Sequence, residues 1–98
     1  MADIYHITTE TEWTAAQQRG YVTADSLTTD GFIHCSYREQ LQPTLDRFFS
    51  GRTDLIILTI DSEKLTTPVV AEDLYGHGTF PHVYGTIPLA AVTLTFDY

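Results

Sequence analysis

The chain is poor in cysteine, in basic residues and in long apolar runs, and each shortage excludes something. Cys35 is the single cysteine of 98 residues, so there is no internal disulfide and no four-cysteine zinc site within one chain. Lysine and arginine together number five against 13 aspartates and glutamates, a formal charge of −8, which argues against duplex DNA, RNA and anionic membranes as partners, because affinity for phosphate arrays comes from basic side chains. No stretch approaches the ~20 apolar residues of a membrane span, and Met1-Ala2-Asp3-Ile4-Tyr5-His6 lacks the basic start and apolar run of a signal peptide. A cytoplasmic protein is expected. No repeat, low-complexity tract or long Pro/Gly/Ser linker divides the chain, so residues 1–98 should form one domain, and 43% apolar residues suffice for one core.

Hydrophobic periodicity alternates between strand and helix. Asp3 to Thr8 reads as a strand with apolar groups on both faces. Thr9, with Glu12 three residues on, opens a helix that Arg19-Gly20 closes. Tyr21 to Thr23 and Phe32-Ile33-His34-Cys35 read as short strands, the latter buried, after an Asp30-Gly31 turn. Ser36 with Glu39 reads as a second capping box, opening a helix whose stripe of Tyr37, Leu41, Leu45, Phe48 and Phe49 faces the core and which kinks at Pro43. Asp54 to Asp61 is the central-strand candidate, Val69 to Glu72 a shorter strand, Asp73 to Pro81 a loop, and Ala91 to Tyr98 an antiparallel strand with Val92, Leu94 and Phe96 on one face and a wet side opposite. The expected class is α+β: a small single domain with a mixed or antiparallel split sheet and two helices.

Three of the four histidines stand in apolar or rigid settings: Tyr5-His6-Ile7, Ile33-His34-Cys35 and Phe80-Pro81-His82-Val83-Tyr84. Burying imidazole costs energy unless its nitrogens find partners, so three copies in a small domain point to a shared polar cleft, against the plainer reading of core histidines satisfied by backbone carbonyls. A zinc site would draw on His6, His34, His82, Cys35 and Glu72, but no His-x-His, Cys-x-x-Cys or His-Glu-x-x-His spacing supports one. Cys35 reads as a buried inert thiol more readily than as a nucleophile, and Ser36 as a cap more readily than as a catalytic hydroxyl. Arg38 lies at the margin of the helical stripe, where it either meets an anionic ligand or covers the core edge. Arg38, Arg47 and Arg52 make residues 36–52 the one net-positive segment, enough for one or two phosphates. Tyr75-Gly76-His77-Gly78-Thr79 reads as a surface turn or a mobile lid, with His77 solvated.

Taken together, Ile4-Tyr5-His6-Ile7-Thr8, Asp30-Gly31-Phe32-Ile33-His34-Cys35-Ser36, Arg47-Phe48-Phe49, Glu72 and Phe80-Pro81-His82-Val83-Tyr84-Gly85 resemble domain of unknown function family 952 along essentially the whole chain. That resemblance implies a fold similar to the ADP-ribosyltransferase superfamily, whose split sheet holds NAD in a cleft. By that similarity His6 takes the first-strand position and His34 the second, and Glu72 or His82 completes a catalytic set, with Ser36, Arg38 and Tyr84 as ligand-binding residues. The implied ligand is NAD or an ADP-ribose-like nucleotide, and the implied chemistry is glycosidic-bond cleavage or ADP-ribosyl transfer. Ile7 stands where related transferases often have glycine, which narrows the cleft. The alternatives are a binding or interaction module that performs no reaction and a metal-assisted hydrolase. Fold does not fix function, so the site must decide.

Overall fold

In the computed structural model, residues 3–98 are described; Met1 and Ala2, where the reading of the chain start begins, lie outside them. The first strand, β1 (Asp3–Thr9), runs antiparallel to β4 (Leu55–Asp61), which is flanked on its other side by β8 (Val92–Asp97). Every residue of β4 from Leu55 to Ile60 is buried, as its unbroken apolar run predicts for a strand covered on both faces. A second three-stranded sheet has the order β3 (Ile33–His34), β6 (Phe80–Val83), β5 (Val69–Glu72), and a two-stranded ribbon pairs β2 (Tyr21–Val22) with β7 (Ile87–Pro88). All these pairings are antiparallel. The two larger sheets meet where Tyr5 and Ser36 exchange backbone hydrogen bonds of 2.8 and 2.7 Å, so the sheet is split but bridged.

Strand alternation assigns the two faces of β1 and β4 to different neighbours. Tyr5, Ile7, Leu55 and Ile57 pack under the helix α3 (Leu41–Phe48) through Leu41, Leu45 and Phe49. On the opposite face Ile4, Ile56, Leu58 and Ile60 join Ile33, Cys35 and Val83 of the second sheet and Trp13 and Ala16 of α1 (Glu10–Arg19) in the larger core. The ends of α1 match the sequence reading: the Thr9 hydroxyl accepts from the Glu12 amide at 3.1 Å, and Gly20 leaves the helix at φ 102°.

Several expectations are corrected. A short third helix, α2 (Asp25–Thr29), precedes the Asp30-Gly31 turn; with no buried residue it has no apolar stripe for the sequence to show. Ser36 does not cap α3. Its backbone is committed to Tyr5, and the helical segment starts instead with a 3-10 turn, Arg38–Gln40, in which the Gln40 side-chain oxygen accepts from the Tyr37 amide at 2.9 Å. Pro43 therefore falls in the first turn of α3, where its missing N–H costs little and no mid-helix kink is required. Phe48 points away from the core and lies beside Arg47 and His77. The supposed loop ends earlier than expected, because Phe80 already belongs to β6. The face of β8 expected to be buried is open: Leu94 and Phe96 are exposed, since β8 is an edge strand and the α3 residues that line the core cover β1 and β4.

Candidate functional site

The sheet β3-β6-β5 has one face turned to the core, through Ile33 and Val83. Its other face gathers the residues two apart from one another along each strand. His34 stands opposite His82 and His82 opposite Val70, so Phe32 and His34, Phe80, His82 and Tyr84, and Val70 and Glu72 project to the same side. Phe32 is buried and stacks on the His82 imidazole at 3.9 Å between ring centroids and 14° between planes. The His34 ring meets His82 edge-on at 5.5 Å, and Tyr75 from the following loop lies 6.0 Å from His34.

Glu72 is the hub of this face. The His82 Nδ1–H donates to its Oε2 at 2.9 Å, and the Tyr84 hydroxyl donates to the same oxygen. The Tyr84 hydroxyl, and after it the His82 ring, hold the Glu72 carboxyl below the usual carboxylate range; the same bond raises Tyr84. Glu72 is thus an ionised carboxylate whose Oε2 is fixed by two donors, while its Oε1 makes no hydrogen bond among the described contacts. His82 is buried, whereas His34 keeps 46% of its side chain exposed and pairs through Nε2 with Asp30 Oδ2 at 3.0 Å. The face therefore combines one fixed anion, one accessible imidazole and the exposed rings of Tyr75 and Tyr84.

Of the residues expected at a site, His34, Glu72, His82 and Tyr84 come together, and Glu72 and His82 are partners and not alternatives. His34 is not buried, contrary to expectation. His6 is linked to this group only through the backbone, its Nδ1–H donating to the His34 carbonyl at 2.8 Å. His6 lines a separate cleft of about 190 Å³ together with Thr8, Glu12, Thr23, Asp25 and Phe49. Burial lowers the His6 pKa, so the ring is neutral near pH 7. Arg38 donates to the Tyr5 hydroxyl at 3.1 Å, and Ser36 is buried with both backbone groups paired; neither makes contact with the Glu72 group among the described interactions. Cys35 is a buried thiol with a raised pKa, as read from the sequence. No group of three or more His, Cys, Asp or Glu side chains able to hold a metal occurs among the described residues.

The Asp73–Thr79 segment has glycines at positive φ, Gly76 at 78° and Gly78 at 113°, and is tied to the 3-10 turn by the Gln40 amide, which donates to the Thr79 carbonyl at 2.7 Å. His77 is exposed and accepts from Arg47 at 2.5 Å. Phe32, Asp30 and Tyr75 were missed as site residues. The signal that finds the first is the alternation Phe32-x-His34, facing Phe80-x-His82-x-Tyr84; the other two depend on how a turn and a loop fold back.

Residues 7–95 match the family described as "Protein of unknown function (DUF952)". The chain belongs to that family. Among solved structures, the DUF952 chain is similar to the crystal structure of protein CC0527 from Caulobacter crescentus, with 36% identity, a TM-score of 0.87, and coverage of 98% of this chain and 85% of that one. The solution NMR structure of CC0527 matches with 36% identity and a TM-score of 0.84, covering 99% of this chain and 84% of that one. A double-mutant crystal form of the same protein gives 35% identity and a TM-score of 0.86. No curated protein matches. The neighbours share the α+β fold of antiparallel sheets and helices. No helix among the described residues is long and apolar enough to cross a membrane.

Proposed function

We propose that this DUF952 chain is a cytoplasmic protein that binds NAD or an ADP-ribose-like nucleotide on the outer face of β3-β6-β5, in the manner of an ADP-ribosyltransferase-like fold. The observation that carries the reading is Glu72: an ionised carboxylate fixed through one oxygen by His82 and Tyr84, with no hydrogen bond to the other oxygen among the described contacts, beside accessible His34 and Tyr75. A ribose hydroxyl is the natural donor to such an oxygen, and the exposed rings of Tyr75 and Tyr84 suit a planar base or nicotinamide. Arg38, occupied at Tyr5, is not the phosphate ligand of this reading, which rests on sugar and ring recognition.

The reaction that fits is cleavage of the nicotinamide–ribose bond. The bonding pair leaves with the nicotinamide nitrogen, the Glu72 carboxylate opposes the positive charge that develops on the ribosyl ring, and a nucleophile adds to the anomeric carbon and gives up its proton. The test is calorimetric titration with NAD and ADP-ribose, followed by assay of nicotinamide release. Binding is expected in the wild type and at least tenfold weaker in Glu72→Gln, whose side chain keeps the shape but loses the charge. Equal binding by Glu72→Gln, or no binding by the wild type, refutes the site. Binding without nicotinamide release identifies a non-catalytic binding module.

A further inference from the structure

The cleft beside His6 is built from a different set of residues and calls for a different ligand. His6 is 7% exposed, and its Nδ1–H is committed to the His34 carbonyl, so the second nitrogen of the neutral ring, Nε2, is an acceptor. Nε2 has no partner among the described contacts, yet among the described residues the buried side-chain polar atom left without a hydrogen bond is the Thr67 hydroxyl. The His6 Nε2 therefore keeps some exposure, and His6 is among the residues that line the cleft. Glu12 and Asp25 add carboxylates, Thr8 and Thr23 add hydroxyls, and Phe49 supplies an apolar wall.

Two charge effects compete here. The first turn of α1 borders the cleft and presents a dipole equivalent to about half a positive charge. Glu12 and Asp25 bring two full negative charges, and two of the first-turn amides are already used, Glu10 by the Asp54 carbonyl and Glu12 by the Thr9 hydroxyl. The negative charges win, and the uncharged imidazole offers a lone pair and not a proton. We infer that this cleft binds a small alkylammonium or alkylguanidinium ligand, whose N–H groups donate to the His6 Nε2 and to the Glu12 and Asp25 carboxylates while its carbon stem lies on Phe49. A volume of about 190 Å³ gives room on the order of six waters, which suits a ligand of this size.

The experiment is an amide and imidazole NMR titration of the full chain with butylammonium and ethylguanidinium. Tetramethylammonium, which has the charge but no N–H donor, and propionate, which has the opposite charge, serve as controls. Saturable shifts are expected at His6, Thr8, Thr23 and Asp25 with the first two probes, and affinity should fall at least fivefold in the double variant Glu12→Gln/Asp25→Asn. Both substitutions lie at exposed positions and leave the buried His6 in place, so the fold is retained. Absence of saturable shifts at these residues, tetramethylammonium binding as tightly as butylammonium, or stronger binding of propionate each overturns the assignment. None of these outcomes depends on whether NAD binds at Glu72, because the shifts are read at residues of the His6 cleft and the variants lie outside that face.

Discussion

Burial of His6 makes the stability of the fold pH-dependent in a defined window. The ring is almost fully enclosed, and desolvation is the largest influence on its pKa, outweighing the His34 carbonyl that favours the charged form; the His34 imidazole adds to the lowering. Glu12 and Asp25 line the same cleft, and neither carboxylate is among the influences on the ring. A histidine with a lowered native pKa binds its proton first in the unfolded chain, so its contribution is complete above about pH 6.5 and is lost as pH falls from there toward the native pKa. The slope in that window is at most about 1.4 kcal/mol per pH unit for one group. Between pH 6.5 and 5.5, where the slope rises from half its limit, this amounts to about 1 kcal/mol at most, or a fall in melting temperature of up to roughly 4–8 °C for a domain of this length. Glu72 and Asp54, both lowered, titrate below this range and do not confuse it. The diagnostic quantity is the difference between wild type and His6→Gln, which removes every contribution the two proteins share. Urea unfolding at half-unit pH steps should give a shallower slope in His6→Gln by up to the amount stated. Parallel profiles for the two proteins would show that His6 is not held neutral by burial.

Three further outcomes are expected. Phe32→Ala should cost about 3–5 kcal/mol in urea unfolding, because it removes a buried ring that stacks at 3.9 Å on His82; a loss under 1 kcal/mol would mean that the outer face of β3-β6-β5 is not packed as described. Gly85→Ala should destabilise by about 1–3 kcal/mol and be partly relieved by Thr67→Gly, since a Cβ at Gly85 would lie 2.4 Å from the Thr67 methyl; a neutral Gly85→Ala contradicts that close approach. Cys35, buried with a raised pKa, should react with a thiol reagent only as fast as the chain opens, so labelling should accelerate in urea; rapid native-state labelling would place the thiol at the surface.

The parts of the molecule that were legible in the sequence are those set by local pattern. The unbroken run Leu55–Ile60 is the central strand, Thr9 and Gly20 bound α1 as their side-chain chemistry requires, and Val69–Glu72 is a strand. What failed depended on partners distant in the chain. Ser36 has the chemistry of a cap, but Tyr5 takes its backbone and leaves the helical segment to start at Arg38 in a 3-10 turn. The alternation of Val92, Leu94 and Phe96 does describe a strand face, but alternation does not say whether a neighbour covers it, and no helix reaches the edge. His6 has the same flanking pattern as a buried site histidine, yet its hydrogen bond joins it to the His34 backbone while the residue lines a separate cleft.

The same distinction explains why the candidate site was half visible. A strand that serves the core with one face has its other face free for polar work, and Ile33 and Val83 fill the core with the residues between Phe32 and His34 and between His82 and Tyr84. The histidines of this sheet are therefore occupants of its outer face, where His34 is open and His82 is buried. Phe32 excludes water from His82, and this exclusion forces the imidazole to find a partner: it takes Glu72, which in turn orients Tyr84. One buried ring thus fixes the geometry of three polar side chains, and replacing it disturbs the site as well as the packing.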